Sequence, residues 1–197
     1  MEKGIYDLVR GVVLTSTLVV CGICNPALAH AEAKKQPKAA AVASVDNWKE
    51  FHSVSGKCSM LFPVHPEHVT ETMSVPEEGY DLTYDAYISS EDKKTVFMLL
   101  IAQYPDFVDE SYAQMSLEGF LNGILTHNPG NQLIFADLLL VNGREALDFF
   151  IRQGGIYFKG RAMMVKNSLY LMAMECEVQM YDEVRYNLFV NSFKLAR

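Results

Sequence analysis

The feature that most constrains the fold is the dipeptide Asn142-Gly143, which lies between two largely apolar segments. Asn-Gly supplies most readily the two positive φ angles of a type I′ turn, the tight connection of a β-hairpin. Gly154-Gly155, and then Lys166-Asn167-Ser168, interrupt the next apolar segments with residues that favour turns. The sequence therefore predicts four consecutive antiparallel strands, at about residues 133–141, 144–152, 156–165 and 169–178.

Three strands and a helix are predicted before these hairpins, the first strand at residues 57–62, and a second helix is predicted after them, from about Tyr181 to Phe189. Residues 80–89 alternate between apolar and polar side chains, which indicates a strand with one buried face. Residues 95–104 are apolar almost throughout, as expected of a central strand covered on both faces, and Pro105 ends it. Apolar residues then follow helical spacing from Asp109 to His127, and Asn128-Pro129-Gly130 ends the helix.

The order of these elements resembles the PsbP/Mog1-like superfamily. The resemblance rests on Trp48, Phe51, the strand at 57–62 that runs into Pro63, Gly143-Arg144, Leu169-Tyr170-Leu171 and the terminal segment 189–193. It spans about residues 46–195 and implies an α+β domain, in which helices flank a central antiparallel β-sheet as an α/β/α sandwich. The superfamily includes photosystem accessory proteins, a Ran-binding nuclear factor and exported bacterial proteins. The Ran-contacting and metal-binding positions of those members have no counterpart here, so the resemblance implies no activity.

The first thirty-one residues are typical of an export signal. Lys3 and Arg10 precede an uncharged apolar run at residues 11–24, and two small-x-small cleavage sites end at Ala29 and Ala31. The run is shorter than the roughly 20 residues of a membrane-spanning helix, which argues against an uncleaved anchor. We therefore expect a signal peptide at 1–31, a flexible linker at 32–45 and one domain at 46–197. The protein would be exported to the periplasm or secreted, with no stable membrane span after cleavage.

Two cysteines, Cys58 and Cys176, remain after this cleavage, because Cys21 and Cys24 belong to the leader. Each is in phase with apolar residues of its predicted strand, so both are expected to be buried. An exported protein with two thiols can join them as a disulfide. The alternative is two separate buried thiols, and the sequence leaves both open because it does not show whether the two strands are neighbours.

Acidic residues outnumber basic ones by 24 to 17, and the net charge is −7. Nucleic acid is therefore not expected as a partner, since binding phosphates requires clustered Lys and Arg. The strongest local bias lies between Glu67 and Asp92, where eight acidic residues occur without a Lys or Arg. Glu77, Glu78 and Asp81 are the candidate residues for binding a basic partner there, and a merely solvated edge is the alternative. A calcium loop is matched only in part.

The motifs of catalysis and metal binding are not found. The segment His65-Pro66-Glu67-His68 carries zinc-type ligands, but its spacing differs from HExxH and no third ligand accompanies it. The sequence has no GxSxG, no GxxxxGK[ST] and no GxGxxG. We therefore expect that the protein is not an enzyme and uses no metal or other cofactor.

Two functional hypotheses follow. The first is an exported, non-enzymatic interaction or assembly module for an unknown protein partner, and the acidic segment favours a basic one. The second is a carrier of a small apolar ligand such as a lipid, because ten Met, ten Tyr and eleven Phe could line an adaptable pocket. An ordinary hydrophobic core would explain the same composition, and an enclosed apolar cavity would favour the carrier.

Overall fold

The computed structural model describes residues 47–75, 80–90 and 94–196. The predicted signal peptide (1–31) and linker (32–45) lie outside the described residues. None of the helices in this described part has the length and apolarity needed to cross a membrane.

Within these residues the chain forms two α-helices and ten strands, which are arranged in two sheets. The helices are α1 (Ala113–His127) and α2 (Glu183–Asn191). The strands are β1 (Lys49–Ser53), β2 (Cys58–Phe62), β3 (Glu67–Val75), β4 (Tyr80–Ser90), β5 (Thr95–Gln103), β6 (Asn131–Val141), β7 (Arg144–Gln153), β8 (Ile156–Val165), β9 (Ser168–Glu177) and β10 (Lys194–Leu195).

The larger sheet has seven antiparallel strands in the order β3-β4-β5-β9-β8-β7-β6. Helix α1 packs on one face of it, where Leu117, Phe120 and Ile124 join the buried side chains of the strands. Helix α2 and the three-stranded sheet β1-β2-β10 pack on the opposite face. The predicted α+β fold with helices on both faces of an antiparallel sheet is confirmed.

Strand β5 lies inside this sheet and is buried on both faces, as its continuous apolar sequence predicts. Met98 and Leu100 join the core beneath α1, whereas Phe97 and Leu99 join the core beneath α2. Because successive side chains of a strand point to opposite faces, one apolar run serves both cores.

The hairpins also form where the turn residues predict them. Asn142 and Gly143 both have positive φ angles, of 52° and 78°, as a type I′ turn requires. Gly154 (φ 56°) connects β7 to β8, and Lys166 (φ 55°) lies in the turn between β8 and β9.

Three strands and two helix starts differ from the sequence-based expectation. Strands β1, β3 and β10 are not predicted, and β3 begins at Glu67, within the segment His65-Pro66-Glu67-His68. Asp109 caps a short 3₁₀ turn, and the regular helix α1 begins four residues later. Helix α2 begins at Glu183 because the Asp182 carboxylate accepts hydrogen bonds from the backbone N–H groups of Val184 and Arg185.

Candidate functional site

Residues 67–75 and 80–90 of the acidic segment form β3 and β4, at one side of the seven-stranded sheet. Strand β3 is the last strand on that side and pairs with β4 from Glu67 opposite Ile88 to Val75 opposite Tyr80. We use the name acidic edge for β3, β4 and residues 76–79 between them. Asp81 lies on β4 and is exposed, as a partner-binding residue must be. Glu77 and Glu78 lie outside the described residues.

One carboxylate of the acidic edge is engaged within the protein. Asp85 accepts a hydrogen bond from Thr70 Oγ1 at 2.5 Å and lies 2.8 Å from His68 Nε2, so it ties β4 to β3. The His68 ring in turn stacks on Tyr87, with 4.4 Å between the ring centroids. Burial opposes ionisation, but the bonds from Thr70 and His68 hold the pKa of Asp85 below its usual range. Asp85 therefore contributes more to joining the two strands than to contacts with a partner.

The histidines near the start of β3 do not converge on a common point. His65 packs against Phe51, with 5.9 Å between the ring centroids, while His68 turns towards Asp85. The described residues contain no group of three or more His, Cys, Asp or Glu side chains placed to hold a metal ion.

In the structure Cys58 and Cys176 are two separate buried thiols. Cys58 lies close to Ile101: a Cβ atom added to Gly56 would be 3.4 Å from Cys58 Sγ and 2.2 Å from Ile101 Cδ1. Ile101 pairs with Tyr170 of β9, whereas Cys176 lies six residues further along that strand. At about 3.3 Å per residue this is roughly 20 Å, far more than the ~7 Å between Cα atoms that a disulfide spans.

A groove that the sequence did not reveal lies beside the end of α2. Its volume is about 750 Å³, and it is bordered by β10, the Asn142-Gly143 turn and strands β8 and β9. Apolar side chains line part of it, namely Met163, Met172, Val190 and Phe193. Arg144, Arg161 and Lys194 line it as well, beside the polar Asn142 and Asn191. The groove is therefore amphipathic and is not the enclosed apolar cavity that would favour an apolar carrier.

A buried lysine on β8 lies next to this groove, beneath α2. Lys159 is 8% exposed, and its ammonium donates hydrogen bonds of 2.9 Å to the Tyr181 hydroxyl and to both oxygens of Glu183. It also lies 4.4 Å from the centroid of the Tyr186 ring. Burial raises the pKa of Tyr181 and of Tyr186, so both phenols keep their protons at neutral pH. The arrangement fastens α2 to the sheet and leaves no phenolate to act as a base.

Arg161, the next residue on the same face of β8, is paired in a similar way. Its Nε and Nη2 atoms donate to the two carboxylate oxygens of Asp148 at 2.6 and 2.7 Å. Arg144 also has a carboxylate nearby, since its Nε lies 3.8 Å from Glu110 Oε1. Of the three cations that line the groove, Arg161 is thus neutralised by a bidentate ion pair, while Arg144 has only a longer contact with Glu110.

Comparisons with known proteins agree with this fold. No family model matches the chain, and no curated protein matches it at a significant level. The solution structure of the cyanobacterial PsbP protein CyanoP from Synechocystis sp. PCC 6803 is similar, with a TM-score of 0.52 and 13% sequence identity. The match covers 80% of this chain and 98% of CyanoP.

A crystal structure from Bacteroides thetaiotaomicron VPI-5482 matches less well, with a TM-score of 0.42 and 10% identity over 77% of this chain and 49% of the other. At 13% identity, the similarity to CyanoP establishes a fold and not an activity. The element order that resembled the PsbP/Mog1-like superfamily thus has its counterpart in three dimensions, and the chain has the fold of PsbP.

Proposed function

We propose that this domain is a non-enzymatic interaction module that docks a basic protein partner on its acidic edge. The observation that supports this proposal is the position of the acidic segment. Four of its acidic residues, Glu67, Glu71, Asp81 and Asp85, lie on β3 and β4 at the outer side of the sheet, and the other four lie outside the described residues. One side of the β3 backbone has no neighbouring strand among the described residues. An extended segment of a partner can therefore add to β3 through backbone hydrogen bonds.

Carboxylates supply the second part of this docking surface. Glu67 and Asp81 are exposed, and the sequence from residue 67 to residue 92 contains eight acidic residues and no Lys or Arg. Their field attracts a basic partner and is screened beyond about 8–10 Å at physiological salt. The backbone of β3 would hold the partner, while the carboxylates would speed association and select for positive charge.

Export is part of the same proposal. The predicted leader would deliver the module to the periplasm or out of the cell, where its partner would be met. N-terminal sequencing tests this, because a processed chain should begin at His30 or Glu32. A chain that begins at Met1 in the membrane fraction would contradict export with cleavage.

The docking surface is tested by reversing three charges, with Glu77→Lys, Glu78→Lys and Asp81→Lys in one variant. Capture of basic partners from the source organism should weaken in this variant, and in the unmodified protein it should weaken as salt is added. The melting temperature should change little, because exposed carboxylates contribute little to stability.

A second triple variant, which reverses the exposed carboxylates Glu50, Glu118 and Glu145, changes the net charge equally and should leave capture intact. If capture of the partner is the same at low and high salt and is the same in the first triple variant, docking on the acidic edge is refuted.

The amphipathic groove supports a second candidate function, a carrier of a small ligand. Met163, Met172 and Phe193 would contact the apolar body of a lipid, and Lys194 would lie near an anionic end. We rank this function second because Arg161 is already paired with Asp148 and the groove is not enclosed. Native mass spectrometry tests it, since a carrier should retain lipid through purification and Met172→Lys should abolish that retention.

A further inference from the structure

The two edges of the seven-stranded sheet have opposite chemical character. Strand β3 carries Glu67, His68, Thr70 and Glu71, so that edge is polar and acidic. Strand β6, at the other edge, has the sequence NQLIFADLLLV, with Asp137 as its only charged residue. Natural proteins usually guard an exposed edge with charges, proline or a covering element, because unpaired backbone groups recruit further strands.

Large aliphatic side chains of β6 are exposed to solvent. Leu133, Ile134, Leu138 and Leu140 are 43, 44, 45 and 72% exposed, and no residue of β6 is fully buried. Leu138 pairs with Leu147, which belongs to the core beneath α1, so Leu138 and Leu140 project from that face of the sheet. On the other face Leu139 and Val141 are only partly buried. The edge is therefore apolar on both faces.

We propose that β6 is a self-association surface, on which β6 of a second copy of this chain adds antiparallel and joins the two large sheets. An identical strand is the partner that fits best, because it matches β6 in apolar character and in backbone hydrogen-bonding pattern. Antiparallel pairing about a two-fold axis also satisfies both edges with a single contact. A basic or acidic partner would find only Asp137 to recognise.

The β-bulge of β6 limits the regular part of the strand and so sets the position of the two-fold axis in the proposed dimer. The register with β7 shifts between Leu133 and Phe135, and residues 135–141 are regular. A two-fold axis at the middle of this regular segment places Leu138 opposite Leu138 of the second copy and Leu140 opposite its Ala136. Asp137 then lies opposite Leu139, so the two carboxylates do not face each other directly.

The size of this contact determines its strength. Seven residues at about 3.3 Å each give a strip roughly 23 Å long, flanked by the exposed leucines on one face. A contact through one strand of this length buries a small area, at the low end of those that support specific association. We therefore expect a reversible dimer whose population rises with concentration, and not an obligate one.

Sedimentation velocity over about a hundredfold range of micromolar concentration tests the proposal. The unmodified protein should shift from monomer to dimer, and added salt should not reverse the shift. Leu138→Lys with Leu140→Lys should raise the dissociation constant by at least about tenfold. The control is Val54→Lys with Phe107→Lys, which adds the same charge at exposed apolar positions outside β6 and should dimerise normally.

An intermolecular disulfide tests the register between the two β6 strands of the proposed dimer without disturbing the fold. Leu138→Cys should form an intermolecular disulfide under mild oxidation, because side chains directly opposite have Cβ atoms about 4.5–5.5 Å apart. Phe107→Cys, also exposed, should remain monomeric, and Cys58 and Cys176 are buried.

A protein that stays monomeric throughout, or a dimer that survives both β6 lysines, would overturn the proposal. So would capture of a different protein on β6 by a monomeric chain, and so would a Leu138→Cys variant that gives no covalent dimer. These outcomes are distinct from failure at the acidic edge, which carries different residues and depends on salt.

Discussion

The carboxyl group of Glu175 should make the protein less stable as pH rises through neutrality. On β9 it continues the row of Leu169, Leu171 and Ala173, which belong to the core beneath α1. Its cross-strand neighbours are Val96 on β5 and Phe158 on β8, both apolar. Burial in these surroundings raises the pKa of Glu175 from its ordinary value of 4.5 to about 7.

The magnitude follows from this difference in pKa. Each pH unit corresponds to about 1.4 kcal/mol, so ionising Glu175 in the folded state costs about 3 kcal/mol relative to the unfolded chain. The sign is set by proton binding, which is tighter in the folded state. This contribution to the free energy of unfolding is therefore fully present below about pH 4.5, declines between pH 4.5 and about 7, and is absent above that.

Urea denaturation of the unmodified protein and of Glu175→Gln, from about pH 4 to pH 9, measures the effect. The neutral amide removes the ionisation, so the variant should have similar stability at low pH and gain up to about 3 kcal/mol at high pH. Subtracting one curve of unfolding free energy against pH from the other cancels the contributions of groups such as Asp85. The lowered pKa of Asp85 changes stability with pH in the opposite direction. Glu145→Gln, at an exposed position of β7, should leave the pH profile unchanged. A stability difference that does not vary with pH, or a native-state titration of Glu175 near pH 4.5, would refute this reasoning.

Two further predictions concern the thiols and a close contact in the sheet. Reductant should not change the melting temperature, and Ellman's reagent should detect Cys58 and Cys176 rapidly only after denaturation, since both are buried and burial raises the pKa of Cys58 to about 11. A Cβ atom at Gly160 would lie 2.7 Å from the Phe149 ring, so Gly160→Ala should lower the free energy of unfolding by about 1–3 kcal/mol, measured by urea denaturation. Gly155→Ala, where nothing lies within 4 Å, is the control and should be nearly neutral.

The sequence predicts the elements whose local chemistry is strong. Asn142-Gly143 determines its own turn, and the apolar run of β5 requires a strand that is covered on both faces. Strand β3 was missed because its sequence, EHVTETMSV, mixes Thr and Glu with few apolar residues, as suits an edge with little to bury. Strand β10 has only two residues, too few for any periodicity.

Features that depend on how distant strands meet could not be predicted. The phase of each strand indicates that Cys58 and Cys176 are buried, but only the topology shows that they lie at different ends of the core. The groove likewise combines residues of several strands with the end of α2, at no fixed spacing. The buried ion pair beneath α2 did have a signal in the sequence. Lys159 is a charged residue in phase with Met163 on the apolar face of β8, and a charge in that position indicates a buried ion pair.

The order of the strands also determines whether the two proposed surfaces influence each other. Strands β3 and β6 are separated by five others, which places the edges roughly 29 Å apart at about 4.8 Å per strand. This exceeds the screening length of about 8–10 Å, so the carboxylates of one edge exert little force at the other. A dimer formed through β6 would therefore carry its two acidic edges at its far ends, each with unchanged affinity for a basic partner. Any gain in binding from dimerisation must then come from two linked sites on the partner, and it should disappear with a monovalent partner.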